Sequence, residues 1–330
     1  MSRSFGIFVA IVALSMAGSQ CVIAENDVAS TDAPITVRVM VLNFDPLVGP
    51  QHQPLHKECG WFDPRKLSQN YLDDVNESSG GVVQYEIVQW RDIDGFPVKK
   101  DGFCYSADSY LACRSGRQDW HRPDLADYPK LVDEFEVTQA IDDNKVDELW
   151  IFGGPYFGFH ESAMMGPRAF YINGGVYDHV PSKRTYVVMG FNYERGAAEM
   201  LHNLCHRTES TMSHVYGGWK SEELTTNWAK FAANLKQSGV AAVGSCHYPP
   251  NAETDYDYSN PREVESSAED WSGFPKLTGR TSMISCETWG GPDYHRNYMK
   301  WWFSHLPRAP GTNSEDGKLN NWYKYVFAPF

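Results

Sequence analysis

The chain has 330 residues, of which 42% are hydrophobic, 14% aromatic and 22% charged, with a formal net charge of −13. That length supplies one large core or two ordinary ones, and eleven Trp with eighteen Tyr and seventeen Phe exclude a disordered chain. The acidic balance argues against a nucleic-acid partner, because duplex binding must neutralise phosphates, and no heptad or fixed-period repeat suggests a coiled coil or solenoid.

The N-terminus is built like a secretory signal peptide. Arg3 precedes the apolar run Phe5 to Gly18, and Val22-Ile23-Ala24 offers a small-residue cleavage site. Polar Ser19-Gln20 interrupts the run short of the roughly 20 apolar residues that a bilayer span needs. No later stretch is long and apolar enough for a stable membrane span. We therefore expect a signal peptide over 1–24, a flexible leader over 25–34, and a secreted protein, extracellular or periplasmic. Cys21 would leave with the signal, and Cys59, Cys104, Cys113, Cys205, Cys246 and Cys286 would remain. An even number in an oxidising compartment reads as disulfides, with Cys104–Cys113 the expected local bridge.

Ile35 to Phe44 is rich in β-branched and apolar residues and reads as a buried strand ended by Asp45-Pro46. Asp63-Pro64 supplies an N-cap and a first-turn Pro for a helix to about Asn76, which Ser78-Ser79-Gly80-Gly81 stops. Val82 to Trp90 alternates as a strand, and an irregular region with Cys104 and Cys113 follows. Tyr128 to Ile141 reads as a helix, Glu148 to Phe152 as a buried strand, and the glycine-rich stretch after it as a loop. Arg184 to Phe191 is a further strand, leading into a helix from about Arg195 to Tyr216. The alternation predicts an α/β sandwich with a mixed sheet over 35–216. From 217 to 330, Pro, Asn, Gly, Asp and aromatics dominate, which predicts an irregular, loop-rich C-terminal lobe packed on the first. Its expected helices are Glu222 to Gln237 and Tyr294 to His305.

The chemistry concentrates in Met189 to Tyr216. At 100° per residue, Glu199, His202, His206, Glu209 and Ser213 share one helix face. His202 and His206 are one turn apart, so both imidazoles could reach one metal ion. A solvent-exposed polar face is the competing reading, although such faces are mostly Lys, Glu and Arg.

The strand followed by an H-x-x-x-H helix resembles the active-site helix of zincin metallopeptidases, whose motif is H-E-x-x-H. Asn203 stands where that family has its general-base Glu, Glu209 stands where the metzincin extension has Gly, and Met212 where it has a third His. The resemblance implies a zincin-like sheet and a zinc ion whose bound water is held by His202 and His206. The segment also resembles secreted bacterial proteins that carry N-Y-E-R-G…E-M-L-H…H-R, a likeness that implies no activity.

Three protein ligands and one water position make a catalytic zinc site. His247, in the Pro-rich segment GSCHYPPN, is the expected third ligand, and Glu209 suits the role of holding an imidazole N–H. Glu199, one turn before His202, and Glu161, in a loop after a strand, compete for the general base. Tyr193 and Arg195 just ahead of the helix are the expected substrate contacts. His214, His295 and His305 have no partner at ligand spacing and read as ordinary structural or surface residues. The function this predicts is a secreted metal-dependent, peptidase-like hydrolase acting on an extracellular polymer. The alternative is a carbohydrate-active or carbohydrate-binding protein using Trp289, Trp301, Trp302, Trp322 and Tyr323 on its surface, with acids among Glu161, Glu194, Glu199 and Glu287.

Overall fold

In the computed structural model, described over residues 33–219 and 223–328, a six-stranded mixed sheet carries the molecule. Its elements in chain order are β1 (Ile35–Phe44), α1 (Pro64–Ser78), β2 (Val83–Ile93), α2 (Tyr128–Glu134), α3 (Val137–Asp142) and β3 (Glu148–Gly153). Then come β4 (Ser162–Met165), β5 (Val176–Tyr177), β6 (Tyr186–Asn192), α4 (Ala197–Tyr216), α5 (Asn227–Phe231), α6 (Leu235–Ser238), α7 (Tyr294–Ser304) and α8 (Tyr323–Phe327). The strand order is β2-β1-β3-β6-β4-β5. β2, β1, β3 and β6 run parallel, and β4 pairs antiparallel with β6.

The sequence explains the order. β3 is buried along its whole length and β6 along all but its last residue, as central parallel strands must be when both faces are covered. β2 alternates and is exposed at Gln84, Glu86 and Val88, which suits an edge. α1 starts where expected, with the Asp63 carboxylate accepting from the Arg65 and Lys66 amides at 2.9 and 3.4 Å. The signal-peptide expectation and nearly all of the leader fall on residues 2–32, outside the described residues. Among the described residues no helix is long and apolar enough to cross a membrane.

Three expectations are corrected. The helix expected over Tyr128 to Ile141 is two, broken at Glu136 in the left-handed region (φ 54°). Arg91 Nη1 takes the Phe135 carbonyl at 3.0 Å, and the Phe135 ring meets Phe44 at 5.8 Å, so tertiary contacts end the first helix. The helix expected over Glu222 to Gln237 is only α5 and α6. Between them the carbonyls of Phe231 and Ala233 accept from Val243 and Ala242 instead of from a continuing helix. The glycine-rich loop after β3 contains β4, four buried residues too short to stand out as a strand.

The last third of the chain shares the sheet's core. Trp302, Trp322, Tyr323 and Val326 belong to the same buried cluster as Val41 and Trp150. α7 docks on α1 through Arg296, whose Nε and Nη2 donate to Asp74 at 2.7 and 3.0 Å. The aromatics expected on the surface are therefore core: Trp289, Trp302, Trp322 and Tyr323 are buried, and only Trp301 is half-buried.

α4 is locked to the sheet by a buried ion pair. Arg207 Nη1 lies 2.7 Å from Glu148 Oε2, and its Nη2 donates to the Val326 carbonyl at 2.6 Å. Glu148 also accepts from Trp150 Nε1 (2.9 Å) and the Tyr85 hydroxyl (3.1 Å). Asn203 Nδ2 donates to the Gly190 carbonyl at 2.9 Å, so the residue in the place of the zincin Glu serves helix docking. Removing one member of a buried pair strands the other's charge. Arg207→Leu should cost about 3–5 kcal/mol in urea denaturation, with Arg207→Leu/Glu148→Gln recovering part of that loss. Equal losses in the single and double variants would disprove the charge argument.

Candidate metal centre

Docking α4 through Arg207 and Asn203 turns His202 and His206 away from the sheet, toward the segment Gly244–Tyr258 and the start of α7. This face is not a solvated polar face. His202 is 3% exposed, and His206 is half-buried.

The turn that carries His247 is pinned at each peptide group. Gly244 adopts φ +87°, and a Cβ there would collide with the Tyr248 carbonyl, so only glycine fits. The Gly244 carbonyl accepts from Trp302 Nε1 at 3.0 Å, and the Ser245 carbonyl from the Tyr298 hydroxyl at 2.8 Å. The Cys246 amide donates to Glu209 Oε1 at 2.7 Å, and the Cys246 carbonyl accepts from the Tyr258 hydroxyl at 2.9 Å. His247 follows on a backbone with little freedom left.

The result is a convergent donor set. One ligand atom each of His202, His206, Cys246 and His247 lies within 4.8 Å of all the others. His206 Nε2 and His247 Nε2 face each other at 3.0 Å. The opposite nitrogens face carboxylates: His206 Nδ1 is hydrogen-bonded to Glu209 Oε2 at 3.1 Å, and His247 Nδ1 lies 3.1 Å from Asp255 Oδ1 as an ion-pair contact. A carboxylate only accepts, so Glu209 makes His206 Nδ1 the N–H donor and leaves the His206 Nε2 lone pair facing His247 Nε2. An N–H on His247 Nε2 or a metal ion between the two rings satisfies that lone pair. Two nitrogens about 2.0–2.1 Å from a tetrahedral zinc lie roughly 3.3 Å apart, close to the spacing here. The donor set fits a zinc-type ion.

The electrostatics agree. Burial, reinforced by the imidazoles of His206, His295 and His247, pushes His202 down to about 2, so its ring is neutral. Burial opposes a charged His206, but Cys246 and the Glu209 carboxylate outweigh it and raise the group to about 11.

His295, expected to be an ordinary histidine, is part of the cluster. α7 brings its Nε2 to 3.1 Å from His202 Nδ1, and its ring stacks on Tyr258 with centroids 4.5 Å apart. Burial lowers its basicity and the Glu199 carboxylate opposes this. Asp255, Tyr256 and Tyr258 border the cluster as well; Tyr256 covers His247 at 4.3 Å between ring centroids. His214 stacks on Phe170 and His305 packs on Trp301, both without a place in the cluster.

The other expected site residues separate. Glu199 pairs with Arg195 at 3.2 Å, and Glu161 accepts from Asn173 at 2.5 Å. Both acids line a cleft of about 410 Å³ that Arg195 and Glu194 also border, and neither belongs to the converging ligand atoms. A second cleft of about 410 Å³ opens onto His206 and His247, with Tyr171 and Trp219 on its wall. Tyr193 is a correction: it is fully buried, its hydroxyl bound to the Phe44 carbonyl at 3.1 Å, and it cannot contact substrate. Glu287 sits apart, beside Cys286.

The expected Cys104–Cys113 bridge is absent. Cys104 Sγ donates to the Phe96 carbonyl at 3.4 Å, whereas Cys113 Sγ turns to the Asp119 carbonyl at 3.2 Å. The two thiols are held on different partners. Cys205 and Cys246 instead meet in the interior, thiol to thiol.

No protein-family model and no curated sequence matches the chain, so its function is argued from this geometry. Glu209 holds both His206 and the Cys246 amide. Glu209→Ala should therefore weaken zinc binding roughly 10–100-fold in competition with a chromophoric chelator. Unchanged affinity in a folded variant would show that Glu209 does not orient the ligands.

Proposed function

We propose that the protein is a secreted metal-dependent hydrolase, peptidase-like and distantly related in plan to the zincins, with His202, His206 and His247 as ligands of one zinc ion. The observation that carries this reading is the convergence of four donor atoms on one point, with His206 Nε2 and His247 Nε2 3.0 Å apart and the His206 ring fixed from behind by Glu209. When bound, the ion supplies Lewis acidity and a nucleophile at neutral pH.

The remaining work falls to side chains. Glu209 fixes the tautomer of His206, Asp255 lies beside His247 Nδ1, and His295 contacts His202 Nδ1. Glu199 is the proton acceptor of choice: it precedes His202 by one turn on α4 and lies in a solvent-reachable cleft beside His295. Arg195, ion-paired with it, is free to shift toward an anionic group of a bound polymer. The carbohydrate reading keeps one support, the shared cleft of Glu161, Glu194 and Glu199. It loses its aromatic platform to the core.

Purified full-length protein should hold one zinc per chain by elemental analysis, and His206→Ala and His247→Ala should each lose it. Peptide hydrolysis should stop on strong chelation and return with zinc. Glu199→Gln should keep the metal and lower turnover by about 10²–10⁴-fold, because the amide cannot accept a proton. Less than one ion per chain, unaltered by the His substitutions, would end the proposal. Hydrolysis that resists chelation would favour the paired-carboxylate alternative.

A further inference from the structure

A Cys-His dipeptide occurs twice, as Cys205-His206 on α4 and as Cys246-His247 in the pinned turn. The fold brings the two copies together. The imidazoles meet at 3.0 Å, and the thiols of Cys205 and Cys246 meet directly beside them. Both sulfurs are fully buried. Cys246 Sγ also belongs to the donor group that His202, His206 and His247 form, and it lies 3.6 Å from the His202 carbonyl. One sulfur thus has two partners within reach, a thiol on one side and the ligand cluster on the other.

It cannot serve both. A metal ion takes the thiolate, not a disulfide sulfur. With Cys246 as thiolate the site has four protein ligands, three nitrogens and a sulfur, which is the closed set of a structural zinc centre. With Cys246 in a disulfide, three imidazoles remain and the fourth position opens to water, as a catalytic centre requires.

Resting on the metal-site reading above, we propose that Cys205 and Cys246 form a disulfide that clamps the His247 turn to α4 and, by withholding the Cys246 sulfur, converts a closed four-ligand site into an open three-histidine site. The bond forms by exchange with a small-molecule disulfide. Two electrons pass from the two thiols to that reagent's S–S bond, which breaks as the Cys205–Cys246 bond forms, and the two protons end on its released thiols. In the alternative state the Cys246 thiol loses its proton to solvent as the ion binds. Because both sulfurs are sealed from solvent, the choice is made as the chain folds and not by reagents reaching the finished site. The bridge would cross-link residues 41 apart, so it also restrains the unfolded chain.

Cobalt(II) is the probe, because thiolate ligation gives it a charge-transfer absorption that imidazole ligation does not. The full chain is folded either with a phosphine reductant or with a glutathione redox couple, then titrated with cobalt(II). Reductant-folded protein should bind one ion with the thiolate band. Glutathione-folded protein should bind one ion without it, and peptide mapping should find Cys205 joined to Cys246. Cys205→Ser should show the band under both regimes, and Cys246→Ser under neither, each still binding one ion. A band that survives in protein mapped as Cys205–Cys246 disulfide overturns the proposal, as does cobalt bound without the band under reductant. If neither form binds cobalt, the metal site itself is refuted and this proposal falls with it.

Discussion

The Arg207–Glu148 pair sets the rotation of the long helix, and everything chemical in the molecule follows from that rotation. A buried guanidinium must be met by a carboxylate, and the buried one beneath α4 stands at the start of β3, tied in turn to Trp150 and Tyr85. Such a pair contributes little net stability against an apolar replacement, yet breaking it is costly, so it specifies orientation more than it stabilises. A turn of the helix by one residue would swing His202 and His206 some 100° away from His247 and α7. The ion pair is thus placed where an error would be most damaging.

Against that fixed helix the second half of the site is assembled from a segment with almost no secondary structure. Hydrogen-bond geometry does there what a helix or strand does elsewhere. Trp302, Tyr298, Glu209 and Tyr258 each take one peptide group of Gly244–Cys246, and α7, which supplies two of the four, is itself anchored to α1 through Arg296 and Asp74. The Glu209 carboxylate acts at both ends, since one oxygen fixes the His206 ring and the other the turn that presents His247. Helix and turn therefore share a single positional reference.

The sheet and the long helix were legible because their signals are local. Ile35–Phe44 and Glu148–Gly153 are rich in apolar and β-branched or aromatic residues, and Asp63-Pro64 opens a helix by capping alone. The helix breaks at Glu136 and after Phe231 were illegible, since each depends on a distant group taking a carbonyl the helix would have used. At the site, the four-residue spacing identified His202 and His206, and the three-residue step pointed to Glu209. His247 was readable from its loop. His295 was not, because a lone histidine at the head of a helix acquires its meaning only when α7 docks 93 positions from His202. Tyr193 was misread in the opposite sense: its place just ahead of the helix does not reveal that its hydroxyl is spent on the Phe44 carbonyl. The repeated Cys-His dipeptide was the one visible signal that would have joined the two halves.

A cluster of polar side chains in a protein interior can be tolerated packing, and the distinction lies in what the surrounding hydrogen bonds accomplish. Packing alone would need the imidazoles satisfied, which a shared proton between His206 and His247 achieves. It would not need one carboxylate bound to both the His206 ring and the Cys246 amide, nor four side chains from three parts of the chain holding one short turn. Those features confine nitrogen positions, and confinement costs side-chain entropy that core stability does not repay. Metal ligation would repay it, because donor atoms must be held to about half an ångström for an ion to be bound in one geometry.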